Sequence, residues 1–163
     1  MKIQVALVRV DDRYWLDRQI GRLRGGQKYS HGAFIVHQGD TEPMWWDVHW
    51  RWFSSSLRAF PAKNYGWKFE VFDIEGITDL QTQKLHLWML RQEGQWISYD
   101  ILGAIQIFFG WNPPESPRSF QCFEFVTRGL LAGGLPVDFH PERALASDLL
   151  ESGLLVPIGA NSE

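Results

Sequence analysis

Pro113, Pro114 and Pro117 stand just upstream of an apolar run that repeats at helical spacing: Phe123, Val126, Leu130 and Leu131, closed by Gly133-Gly134. Proline bars helix before the run, Ser116 and Ser119 are residue types that cap one, and paired glycines end one. The pattern predicts a buried helix with Cys122 in its first turn. Cys122 is the only cysteine of the chain. In a first helical turn the unpaired backbone N–H groups and the positive end of the helix dipole favour a thiolate. A lone cysteine is also commonly a small buried hydrophobe. A catalytic use therefore requires a base elsewhere in the chain.

The rest of the chain must build a surface for this helix. Lys2 to Val10 alternates as a strand, with Ile3, Val5 and Leu7 on one face. Tyr14 to Leu23 reads as a short helix, broken by Gly25-Gly26. Ala33 to His37 is a strand, Gly39-Asp40 a turn, and Met44 to Phe53 the partner strand of a hairpin. On that partner, Trp45, Asp47, His49 and Arg51 share one face, and Met44, Trp46, Val48, Trp50 and Trp52 share the other. Ser54-Ser55-Ser56 predicts a loop or turn reaching Pro61, and Trp67 to Ile74 a further strand. Thr78 and Gln81 have capping-box spacing ahead of a helix from Asp79 to Glu93. Tyr99 to Phe109 predicts a second, very apolar helix. The tail predicts a helix from Pro141 to Glu151 and a short apolar piece from Leu154 to Pro157. Strands first and helices later indicate an α+β fold. We expect one domain over residues 1–163, with its core in about 1–135 and a helical tail over 136–163.

Composition narrows the function classes. The chain is 45% hydrophobic and 21% charged, which is globular, and its net charge of −3 argues against a general nucleic-acid binder. No apolar run approaches the ~20 residues that span a bilayer. The opening strand is too short and too alternating for a signal peptide, so we expect a cytosolic chain as synthesised. A phage-encoded or delivered protein would look the same. Nine Trp and eleven Phe supply core, and some of them a groove wall. The glycine pairs are turn or cap glycines, and no phosphate loop is present. Arg13, Arg18, Arg22, Arg24 and Lys28 form a basic stretch, read first as a solvated face and second as a contact for an acidic partner.

Five histidines could serve Cys122. A cysteine hydrolase needs a thiolate, an imidazole within reach and a polar group that orients the imidazole. His31 is best placed, at the start of a strand between Ser30 and Gly32. His49 lies beside Asp47, His37 near a turn, His86 in a helix and His140 before Pro141. A metal site built on Asp47 and His49, with His31 or His37 as third ligand, is the rival reading. It lacks a Cys pair or a His-Glu-x-x-His helix, and no metal or other cofactor is expected.

Tyr29-Ser30-His31-Gly32-Ala33-Phe34-Ile35-Val36 resembles the His strand of the circularly permuted papain-like, NlpC-type amidases and thiol hydrolases. Cys122-Phe123-Glu124-Phe125-Val126 resembles their Cys helix, and the order, His before Cys, is that of the permuted members. Asp47 in Trp46-Asp47-Val48-His49 holds the place of their orienting residue, and Tyr99-Asp100 resembles the segment before their Cys helix. Phe123 departs from their usual Ser. The resemblance covers roughly residues 1 to 135. It implies a permuted papain-like fold: an antiparallel sheet packed on the Cys122 helix. It implies Cys122 as nucleophile, His31 as base, and Asp47 or His49 as the orienting residue. The Cys122 backbone N–H would be an oxyanion donor, with Gln121 or Tyr29 as a second. Tyr29, Trp45 and Glu124 are candidates for substrate contact, Glu124 having a helix-start carboxylate as its equal alternative. The implied activity is hydrolysis of an amide, in peptidoglycan stem peptides above all, or of an ester, with no cofactor. The other class of function is a binding or assembly protein of phage or secretion-system type that keeps the fold without turnover and docks a partner protein through its aromatic surface.

Overall fold

The computed structural model describes residues 1–10, 28–51, 54–93, 98, 99 and 119–160. Six strands form one antiparallel sheet: β1 (Lys2–Arg9), β2 (Tyr29–His37), β3 (Met44–Arg51), β4 (Ser54–Pro61), β5 (Phe69–Ile74) and β8 (Leu155–Ala160), in the order β4-β3-β2-β1-β5-β8. A short parallel pair, β6 (Ser98–Tyr99) with β7 (Ser119–Phe120), leads into the helix that begins at Cys122. Three α-helices are described: α1 (Asp79–Glu93), α2 (Cys122–Ala132) and α3 (Ala146–Glu151). The fold is α+β.

The alternation of β1 divides the interior. Ile3, Val5 and Leu7 face a large core with Phe34, Val36, Trp46, Val48 and Phe72 of the sheet, which α2 covers with Phe123, Phe125, Val126 and Leu130. Ala6 and Val8 face a smaller cluster with Ala33, Ile35 and Trp45, covered by Phe60, Tyr65, Trp67 and Phe69. The Trp45 ring stacks on Tyr65 with centroids 3.9 Å apart. β1 is therefore buried on both faces, as its near-continuous apolar sequence requires. Helix α2 lies close on the sheet because Gly129 has no side chain. A Cβ there would stand 2.7 Å from the Phe34 ring and 3.0 Å from Leu85. This offsets the roughly 1 kcal/mol that glycine costs inside a helix.

Several expectations need correction. Ser54 to Pro61 is not a loop: β4 pairs with β3 along its whole length, from Met44↔Pro61 to Arg51↔Ser54. The serines carry little strand propensity of their own, but Leu57 and Ala59 pack toward the large core and Phe60 toward the smaller one, so cross-strand pairing decides. The α2 N-cap is Gln121; Ser119 lies in β7, and Ser116 lies outside the described residues. The strand expected from Trp67 begins at Phe69. Tyr99 is in a strand, and the remainder of the helix expected to Phe109 lies outside the described residues, as does the helix expected from Tyr14 to Leu23. The helix expected over Pro141 to Glu151 divides into a 3-10 turn, Pro141–Arg143, and α3, because Ala144 is extended and Asp148 accepts from the Leu145 N–H to start a new helix. The tail is not only helical: β8 completes the sheet beside β5. The capping box is present, with Gln81 Oε1 3.0 Å from the Thr78 N–H. No described helix is long and apolar enough to cross a membrane.

Candidate active site

Two irregularities of the sheet create the site. First, β2 carries an extra residue opposite β1: Val8 pairs with His31 and Arg9 with Tyr29, which leaves Ser30 without a partner. This bulge puts Tyr29 into the large core, while His31 falls on the face of Ala33 and Ile35. Second, the β2–β3 ladder stops at Phe34↔Trp46, although β2 runs back to Tyr29 and β3 on to Arg51. Beyond that pair the two strands part, and α2 packs against both. His31 meets the N-terminus of α2 where the ladder is open.

There His31 hydrogen-bonds Cys122. Its Nε2 lies 2.9 Å from Asp47 Oδ2. Asp47 is 0% exposed and its carboxylate is surrounded by donors. Arg58 grips it with two bonds, Nε to Oδ1 at 2.5 Å and Nη2 to Oδ2 at 2.9 Å, and Trp45 Nε1 donates to Oδ2 at 3.0 Å. Burial would raise the pKa of Asp47, but the bonds from Arg58 and His31 outweigh it and hold the carboxyl well below the usual carboxylate range. Burial would likewise strip His31 of its proton. The negative charge of Cys122 and the bond to Asp47 overturn this and raise the imidazole to about 10. The arrangement sets the Cys122 sulfur against an imidazole of raised pKa, with a fixed carboxylate behind the imidazole. It can attack an electrophilic carbon and return a proton to a leaving group.

The other candidate residues are occupied elsewhere. Trp45 is fully buried and supports Asp47, so it does not line an open cleft. The Tyr29 hydroxyl donates to Glu70 at 2.6 Å. Gln121 is 2% exposed and its side chain donates to the Glu142 carbonyl at 3.1 Å. Glu124 accepts from the Gln121 N–H at 3.3 Å and from Arg128 Nε at 2.8 Å, and Arg128 reaches on to Glu142 at 2.6 Å. Burial pushes the Glu124 carboxyl up against the pull of Arg128. Glu124 thus holds the first turn of α2 in place. His49 sits opposite Ser56 on β3, and its side chain lies outside the described residues. His37 is at the far end of β2, 2.7 Å from Gln4 Oε1. Among the described residues no group of three or more His, Cys, Asp or Glu could hold a metal ion.

Comparison with protein-family models, with curated proteins and with solved structures finds no match for this chain.

Arg58 is the member that the sequence reading missed. Its signal was indirect: a carboxylate on the same strand face as Trp45 needs a cation once buried, and the next strand must supply it. Ser30 is notable for the opposite reason, since its Oγ is buried without a hydrogen-bond partner among the described residues. Ser30→Ala is expected to raise stability by about 1 kcal/mol, by removing the desolvation penalty of the hydroxyl. A urea midpoint that falls instead would show that this hydroxyl makes a bond in solution.

Proposed function

We propose that the chain is a cysteine hydrolase of the permuted papain-like type that cleaves an amide or ester through an acyl-enzyme. The observation that carries this reading is the Cys122–His31–Asp47 chain of hydrogen bonds at a helix start. The Cys122 thiolate attacks the carbonyl carbon, and a C–S bond forms. The oxyanion is met by the Cys122 N–H in the first turn of α2, at the positive end of the helix dipole. As the C–N or C–O bond breaks, the His31 imidazolium gives its proton to the leaving amine or alcohol. His31, now neutral, takes a proton from water, and the resulting hydroxide attacks the thioester. The C–S bond breaks, the acid leaves, and the thiolate–imidazolium pair is restored. Asp47 holds the imidazole in line throughout, and Arg58 holds Asp47. No step calls for a cofactor.

Peptidoglycan stem peptides are the substrate class to try first. The test is acyl-enzyme capture. After mixing with an activated phenyl ester, intact mass is expected to show one transient acyl adduct, absent in Cys122→Ala. With peptidoglycan fragments, new amino groups are expected to appear. Absence of any adduct on Cys122 would rule out the hydrolase and leave a binding or assembly protein.

A further inference from the structure

Arg9, Lys28 and Tyr29 converge on one carboxylate at the end of the sheet that carries His31. Arg9 Nε and Nη2 lie 2.7 and 2.5 Å from Glu70 Oε1, and Lys28 Nζ lies 2.6 Å from the same oxygen. Tyr29 takes the other oxygen. The Glu70 side chain is 13% exposed, whereas those of Arg9 and Lys28 are 43% and 56% exposed. Burial would raise the Glu70 carboxyl, but the bonds from Lys28, Tyr29 and Arg9 hold it ionised below its ordinary range. Two cations on one carboxylate leave a net positive charge. Guanidinium has five N–H donors and ammonium three, so most of them are not used by Glu70. The two cationic heads are thus fixed in place and half open to solvent.

Their position relates them to Cys122. Leu7 pairs with Gly32 on one side and with Glu70 on the other. A Cβ on Gly32 would lie 2.9 Å from the ring of Phe123, the neighbour of Cys122. Tyr29 belongs to the same core as Cys122 and Phe123. The cluster therefore lies on the α2 side of the sheet. It is two strand spacings, about 10 Å, from Gly32.

We propose that Arg9 and Lys28 form an anion subsite of the Cys122 site, taking a carboxylate carried on the same peptide-like substrate, away from the scissile bond. The inference rests on the hydrolase reading above. Glu70 spaces and orients the two cations without cancelling them. If the cluster served only to tie strand ends together, its loss would change stability and leave reagent choice untouched.

The test compares two thiol reagents on the full chain at neutral pH and low salt: dithiobis(nitrobenzoate), with a carboxylate on each ring, and dithiodipyridine, which is neutral. In each, the thiolate attacks a disulfide sulfur and an aryl thiolate leaves. The anionic-to-neutral rate ratio is expected to fall about twofold to fifteenfold for each cation removed in Arg9→Gln and Lys28→Gln, the range for unit charges about 10 Å apart between water and a protein surface. It is expected to rise in Glu70→Gln, and in the native chain to fall at high salt. A ratio unchanged by both substitutions and by salt, with the neutral rate intact, overturns the subsite and leaves the hydrolase standing. A neutral reagent that reacts no faster with the native chain than with His31→Ala overturns both. Lys28→Gln, altering a side chain more than half exposed, decides the matter if Arg9→Gln does not fold.

Discussion

Asp47→Ala is expected to cost about 3–5 kcal/mol of stability, a large part of what a domain of this size has. The substitution removes no apolar contact of note. It leaves the guanidinium of Arg58, the indole N–H of Trp45 and the His31 imidazolium facing an empty space where a carboxylate had bonded all three. An uncompensated buried charge costs far more than a surface pair contributes. Urea unfolding followed by tryptophan fluorescence measures the effect. The pH dependence has a defined sign. The folded-state pKa of Asp47 is depressed, so its contribution is present above the unfolded value near 3.9 and is lost as the pH falls below it. The gap between native chain and variant therefore narrows on acidification. A variant with the native midpoint at neutral pH would mean that the network carries no stability.

Alkylation of Cys122 by iodoacetamide is expected to run nearly as fast at pH 6 as at pH 8, whereas an ordinary thiol, with a pKa near 8.5, slows roughly a hundredfold over that range. The pair shares one proton, and His31 keeps it up to about 10 because the sulfur beside it is negative. Coupling of this kind is reciprocal: what holds the proton on nitrogen keeps it off sulfur. His31→Ala is expected to restore the ordinary profile, a loss of roughly a hundredfold at pH 6. Stability follows the same proton. The folded pKa of His31 is raised, so its contribution is present below the unfolded value near 6.5 and is lost as the pH rises through about 10. An ordinary thiol profile in the native chain, unchanged in His31→Ala, would make Cys122 a core residue.

Much of this was legible because the relevant signals are local. The α1 helix, with Thr78 and Gln81 at its start, and the alternation of Trp45 and Asp47 against Trp46 and Val48 follow from spacing alone. The meeting of His31 and Cys122 was suggested by a resemblance, and only the fold brings two such distant residues together. What spacing does not reveal is pairing. β4 is a strand because β3 lies beside it, and the three serines that open it look like a turn until that neighbour is known. Arg58 was missed for the same reason, since a residue assigned to a loop has no face. Gln121 and Tyr29 were candidate oxyanion donors because they sit near the reactive residues in sequence, but Gln121 is bonded to Glu142 and Tyr29 to Glu70, both remote in the chain.

The bulge at Ser30 makes the side on which His31 emerges a question of counting. A strand presents odd and even residues to opposite faces, so one residue more or fewer between Tyr29 and Phe34 would swap every assignment in that interval. Elsewhere the chain can absorb a change in length: the turn at Gly39 is exposed and joins two strands already paired. In the first residues of β2 it cannot. This is the place where a single-codon insertion or deletion is expected to leave the sheet intact and abolish the site, and where homologues are expected to keep strict length while their loops vary.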